Sequence, residues 1–284
     1  MSRRSGRTLA RLVFLGPGLI ALVTLAVVPM ILTLSFMFLK RGRFNGVIYE
    51  FTTENFTRLM DPLYLGVIGN SVQIAGTVTL LALLLGYPTA YAIAQLSPKW
   101  KTIALIAIML PFWTNFLIRI YAWIILLSGP GLVNSTLTGV GLIDKPLEFL
   151  YNEGTVVVGL LYGYLSLMVL PIYSAVERVD PRLREASANL GATPLRTFLS
   201  VTLPLTLPSA LIGCVLVFVP SFGNYVVPEL LGGGHAIMLG NVIRDQFLKA
   251  RDWPFGATLS LVMILITLAL MLLQALASRR SRHA

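Results

Sequence analysis

Six stretches of this chain are apolar for too long to fold in water, and that governs everything else about it. From Leu12 to Leu39, 28 consecutive residues carry no charge. At a helical rise of about 1.5 Å per residue such a run reaches about 42 Å, enough to cross a hydrocarbon core of about 30 Å with some tilt. Further runs lie at about 67–96, 102–127, 155–176, from about 205, and 256–276. Lipid offers no partner for backbone polar groups, so runs of this kind must be helical. The sequence therefore predicts an all-α membrane protein with six transmembrane helices. Charged residues make up only 12% of the chain and its mean hydropathy is +0.80. That leaves no stretch for a separate water-soluble core, so residues 1–284 read as a single domain with its core at about 56–276. The first run, at about 12–39, exceeds the roughly 7–15 apolar residues of a secretory signal and no A-x-A-like site follows it, so it is read as helix one. Cys214 is the sole cysteine and lies in an apolar run, where it reads as a small packing residue rather than part of a disulfide or metal site.

The net charge of +10 would suit a nucleic-acid partner, but its distribution argues against one. With six spans, one side receives Arg3, Arg4, Arg7, Arg11, Lys99, Lys101, Arg178, Arg182, Arg184, Arg196, Arg279, Arg280 and Arg282 against three acids. The other side has eight basic residues against nine acids. Basic loops mark the cytoplasmic face, which puts both termini and the loop after helix four in the cytoplasm. Lys40, Arg41 and Arg43 run against this rule locally.

That cytoplasmic loop, Asp180 to Pro208, is the longest polar interruption with helical grammar. Asp180 before Pro181 and Thr193 before Pro194 are cap-then-proline signals, and Gly191 is a left-handed stop between them. Two short helices meeting at a bend are expected, with Ala186, Ala188 and Ala192 offering little bulk to an approaching surface. An amphipathic helix lying on the membrane surface is the plainer alternative. Glu185-Ala186-Ser187, Gly191, then Val201 and Leu203-Pro204 keep the spacing of the EAA loop of ABC importer permeases, which this segment resembles. The departures are Ser187 for the usual alanine and Val201 for isoleucine. The resemblance implies that residues 180–204 form cytoplasmic coupling helices seated in a groove of an ATP-binding subunit.

No G-x-x-x-x-G-K-[ST] loop is present and no Gly-Lys pair occurs, so no phosphate cradle is expected in this chain; ATP and Mg would be bound by the partner ATPase. His235 and His283 have no ligand spacing, and no nucleophile stands near a base, so a transport role is favoured over catalysis. In helix three, Asn115, Arg119 and Trp123 recur every four residues and are expected on one face, with Trp113 and Tyr121 as neighbouring candidates for a solute path. An arginine at mid-membrane costs about 2.5–3.5 kcal/mol on the insertion scale, so Arg119 should face protein or water. It would either line the path or anchor the far end of helix five through backbone carbonyls. The anchor is favoured, since a fixed cation repels a cationic solute. That far end, broken by Pro220, Gly223 and Pro228, supplies Phe222, Asn224, Tyr225 and Glu229; aromatic faces and a carboxylate attract ammonium groups. Interfacial packing of Tyr225 and simple solvation of Glu229 are equally open.

The strings DPLY (61–64), LPFWTNFLIRIYAW (110–123), PELLGG (228–233), GNVIRDQFL (240–248) and RDWPFGA (251–257) resemble the spermidine/putrescine permease branch of the ABC importers, over about Phe56 to Leu276. The resemblance implies the type I importer permease architecture in a bacterial inner membrane. It also implies a second homologous permease subunit, an ATP-binding subunit dimer and a periplasmic solute-binding protein. Putrescine or spermidine is the favoured solute. Close branches carry opines, aminophosphonates or iron, and a carrier driven by an ion gradient is the rival from outside the family.

Overall fold

The computed structural model describes residues 16–18, 20–42 and 46–280. Arg3, Arg4, Arg7, Arg11, Arg43, Arg282 and His283, and the expected start of helix one, lie outside the described residues. The first span, Gly16–Phe38, contains a π-helical turn at Val23–Val27 and helix α1 at Val28–Ser35, and ends in a 3₁₀ turn. Strands β1 (Leu39–Arg41) and β2 (Val47–Phe51) follow as an antiparallel hairpin. The helices after it are α2 (Glu54–Leu59), α3 (Pro62–Ala94), α4 (Pro98–Trp113), α5 (Phe116–Leu127), α6 (Leu132–Gly139) and α7 (Glu153–Glu177). Next come α8 (Pro181–Asn189), α9 (Pro194–Thr197), α10 (Leu203–Phe222), α11 (Val226–Gly232), α12 (Leu239–Leu248) and α13 (Trp253–Arg280). Among the described residues six stretches are long and apolar enough to cross a membrane: Gly16–Phe38, Pro62–Ala94, Phe116–Gly139, Glu153–Glu177, Pro194–Phe222 and Trp253–Ser278.

Three details depart from the sequence expectation. Helix three is not continuous over 102–127 but breaks at Thr114 and Asn115, because Thr114 adopts an extended backbone and the Asn115 side chain accepts from the N–H groups of Leu117 and Ile118. A local cap here outcompetes continuation of the helix. Helix five does not begin near Leu205; α9, a π-helical turn at Phe198–Thr202 and α10 run on without a break from Pro194 to Phe222. The hairpin is an addition to the helical plan, closed where the N–H of Gly42 donates to the Gly46 carbonyl at 2.7 Å.

Cα proximity divides the chain into two compact units, one made of residues up to Pro62 with Ile243–Val262, the other of Leu63–Val242 with the chain from Met263. In the larger unit α7 is the central element: Val156, Leu160, Met168, Val169 and Ile172 are all fully buried. Lipid tails are as apolar as these side chains, so the helices are held by close packing rather than by escape from water. Glycines permit it. A Cβ on Gly86 of α3 would lie 2.9 Å from the Met168 side chain, and one on Gly213 of α10 would lie 2.7 Å from its sulfur. Gly69 and Gly76, equally plausible as packing residues, have open space around them.

The smaller unit is organised by one carboxylate. Asp252 is fully buried; Arg58 donates to it at 2.9 Å, Arg41 stands 3.7 Å away, and the Phe255 N–H at the start of α13 donates to its other oxygen. The Arg58 guanidinium also lies 4.1 Å from the centre of the Phe255 ring. Asn55 of α2 donates to the carbonyls of Met37 and Leu39, tying that helix to the end of the first span.

Candidate coupling loop and membrane path

The loop after α7 is built by its caps. The Asp180 carboxylate accepts from the Arg182 N–H at 2.9 Å and opens α8; the Thr193 hydroxyl accepts from the Arg196 N–H and opens α9. Between them Gly191 has φ +81°, with open space where a Cβ would be. The requirement for glycine is therefore conformational, not steric crowding. Glu185 and Ala186 are exposed on α8, and the leucines around the bend turn outward: Leu190 is 89% and Leu195 68% exposed. Ser187 is half-buried, with its hydroxyl 3.0 Å from that of Thr197, so the residue that departs from the usual alanine joins the two short helices.

The same loop is fastened to the membrane helices. The Phe198 ring meets Tyr87 and Tyr91 of α3 edge-on at 5.6 and 5.4 Å, and the Tyr87 and Thr206 hydroxyls lie 2.6 Å apart. Pro204 has no N–H to return to Ser200 and would press on that carbonyl in a regular helix. The π turn relieves this, with the Leu203 N–H reaching back to the Phe198 carbonyl. Val201 and Leu203 are half-buried on this segment, and Pro204 is exposed. Beside the loop, Lys101 near the start of α4 bonds both oxygens of Glu177 at the end of α7, at 2.9 and 3.0 Å.

Arg119 lies on α5 among aromatic rings. Its guanidinium carbon is 5.5 Å from the Phe116 ring centre and 5.9 Å from that of Tyr162, and its buried Nε and Nη1 have no hydrogen-bond acceptor. The expected anchoring through carbonyls at the end of helix five is not what holds these two donors; ring faces do. Trp123 meets the same Tyr162 ring at 5.6 Å, so Arg119 and Trp123 share a neighbour, whereas Asn115 is spent on capping and leaves the predicted face. Trp113 and Tyr121 are exposed, 72% and 54%.

At the far end of α10, Phe222 is fully buried and stacked on Phe218, so it packs rather than lining an opening. Asn224 does two jobs: its amide donates to the Tyr164 hydroxyl at 2.9 Å, and its oxygen accepts from the Val227 N–H and caps α11. The Asn241 amide donates to the Tyr225 carbonyl at 2.9 Å and to the Glu229 carboxylate at 3.2 Å, holding α11 and the start of α12 together. The site thus brings together Phe116, Arg119, Trp123 and Asn224 through two tyrosines the sequence reading passed over, Tyr162 and Tyr164. Their signal was the Tyr162-Gly163-Tyr164 triplet in a mostly aliphatic span: a Cβ on Gly163 would lie 3.6 Å from the Phe116 ring.

Among the described residues, six spans with a capped two-helix loop leading into the fifth define a multi-pass membrane protein. The chain belongs to the family of binding-protein-dependent transport system inner membrane components, which matches residues 19–283. It is the permease subunit of an ABC importer, a multi-pass protein of the inner membrane and not an enzyme, and it works with partners of the ABC-transporter kind. It is 41% identical over 258 residues to the spermidine/putrescine transport system permease protein PotB of Escherichia coli (strain K12), covering 91% of this chain and 94% of that one. It is also 41% identical over 240 residues to the protein of the same name from Haemophilus influenzae, covering 84% of each. Among solved structures, a chain of a bacterial alginate ABC transporter in complex with its alginate-bound periplasmic protein superposes with a TM-score of 0.78, covering 97% of this chain and 96% of that one at 20% identity; this likeness concerns the fold alone.

Proposed function

We propose that this subunit imports putrescine or spermidine, paired with a second, homologous permease, a dimer of ATP-binding subunits that hold ATP and Mg, and a periplasmic solute-binding protein. The observation that carries the solute is the 41% identity to two spermidine/putrescine permeases over most of the chain. The loop geometry supports the mechanism. Closure of the ATPase dimer on ATP would push α8 and α9, and the unbroken run from Pro194 to Phe222 would pass that push to the far side of the bilayer. Both termini and residues 180–204 are then cytoplasmic, in keeping with the excess of basic residues on that side.

The test is ATP-dependent uptake of labelled putrescine and spermidine into proteoliposomes containing the assembled importer and its binding protein. Uptake that vanishes without ATP supports the reading. Hydrolysis that responds to a differently loaded binding protein, with no polyamine uptake, overturns the solute and leaves the importer. One observation favours a second solute class: Arg119 keeps two buried N–H donors without acceptors, which suits an anionic group such as an aminophosphonate better than an ammonium.

A further inference from the structure

On the side of the membrane where the first span ends and α13 begins, the smaller unit carries a groove that transport of a solute does not account for. Phe36, at the end of the first span, and Trp253, which opens the last span, meet edge-on at 6.0 Å; Phe247 meets Trp253 at the same distance. With Val47 and Tyr49 of the hairpin they line a cavity of 620 Å³, and Arg251 stands at its rim. Two span ends converging here place the groove where hydrocarbon gives way to headgroups, the level that tryptophan and tyrosine favour.

The charge inventory singles out Arg251. In this unit Arg58 and Arg41 serve Asp252, Arg244 and Lys249 bond Asp245, and Lys40 lies 3.9 Å from Glu50. Among the described residues Arg251 has no acidic partner, it is exposed, and its backbone sits at φ +48°, a conformation that favours glycine. A cation held in that way above an aromatic, apolar wall is complementary to one kind of molecule: an anionic headgroup joined to acyl chains. We propose that this groove binds a phospholipid, with its phosphate on the Arg251 guanidinium and its glycerol and upper acyl carbons against Trp253, Phe36 and Tyr49. A free anion would leave the aromatic wall unused. The proposal does not depend on which solute is carried.

The experiment is native mass spectrometry of the whole importer, exchanged into lipid-free detergent and titrated with phosphatidylglycerol, for the wild type, Arg251→Gly and Arg251→Lys. Glycine deletes the charge while keeping the backbone comfortable at φ +48°. The wild type should hold one phosphatidylglycerol more than Arg251→Gly at low lipid, with retention weakened about fivefold, the equivalent of one surface charge at an anionic headgroup. Arg251→Lys should fall between the two. Tyr49, 84% exposed, can be changed without disturbing the fold, so Tyr49→Ala should lower occupancy independently if Arg251→Gly does not assemble. Equal lipid occupancy in all variants overturns the proposal. Displacement of the lipid by millimolar inorganic phosphate would also overturn it, in favour of a free-anion site. Unchanged lipid with weakened stimulation of ATPase activity by the binding protein would overturn it in favour of a protein contact.

Discussion

The capped loop at 180–204 and the Asp252 cluster are both polar structures on a membrane protein, and they are built in opposite ways. Each cap of the loop is satisfied within two or three residues: Asp180 by Arg182, Thr193 by Arg196. The leucines around its bend, Leu190 and Leu195, face outward. Asp252, by contrast, is fully buried and draws its main partner, Arg58, from 194 residues away. A locally assembled, exposed structure can be pushed by a partner without unfolding anything else. A buried carboxylate with distant partners holds the ends of separate segments in one place, and any change to it is felt by all of them.

The largest test of that contrast is Arg58→Ala. It leaves the buried Asp252 carboxylate with Arg41 at 3.7 Å as its remaining cation beside the Phe255 N–H, and removing one partner of a buried pair costs about 3–5 kcal/mol. Resistance of the importer to unfolding in SDS titrations should drop by that order, and Asp252→Asn should cost less, because the two arginines are partly exposed and can turn to water. Equal losses for the two would mean that the carboxylate does not organise this unit.

Next comes Gly191→Val. A β-branched residue at φ +81° costs about 1–2 kcal/mol, enough to reset the bend while leaving the spans inserted. Transport-coupled ATPase activity should be abolished with membrane insertion unchanged, whereas Gly191→Asn, which tolerates this conformation, should keep most of it. Full coupling in the valine variant would remove the docking role from the loop.

Smaller still is Ser187→Ala, which deletes the 3.0 Å hydroxyl contact with Thr197, worth about 1 kcal/mol. The expected outcome is more ATP hydrolysed per solute imported, as α8 and α9 cease to move as one body. An unchanged ratio would show that the caps alone carry the loop.

The smallest effect concerns pH. Burial pushes the Asp245 carboxyl up, but hydrogen bonds from Lys249 and Arg244, with their charges, outweigh this and hold it below its ordinary value of 3.8. A carboxylate lowered in the folded state adds stability above that ordinary value and loses it as pH falls through the lowered one. Asp245→Asn should therefore lower stability slightly at pH 7, where that contribution is fully present, and flatten the acid limb of an unfolding profile below about pH 4, where wild type and variant converge.

How far the sequence could be read follows the same division. Asp180-Pro181, Gly191 and Thr193-Pro194 were legible because a cap needs only its neighbours, and the apolar runs were legible because lipid leaves them a single way to satisfy their backbones. Asn115 shows where local reasoning fell short: it fits a helix face at four-residue spacing and equally fits a cap, and only the backbone at Thr114 and Asn115 decides. Tyr162 and Tyr164 looked like two aromatics in a span until Arg119 was placed beside them.

What the sequence determined by itself was therefore the membrane class, the six spans and the capped loop at 180–204. Tertiary structure decided which polar groups meet. It set Asp252 between Arg58 and Arg41, Arg119 between ring faces, and Arg251 alone at the rim of an aromatic groove. Hydrogen-bond periodicity and hydropathy act over a few residues and can be read along a chain. Burial of a charge depends on atoms that the chain brings back from far away, and no local pattern records where they return.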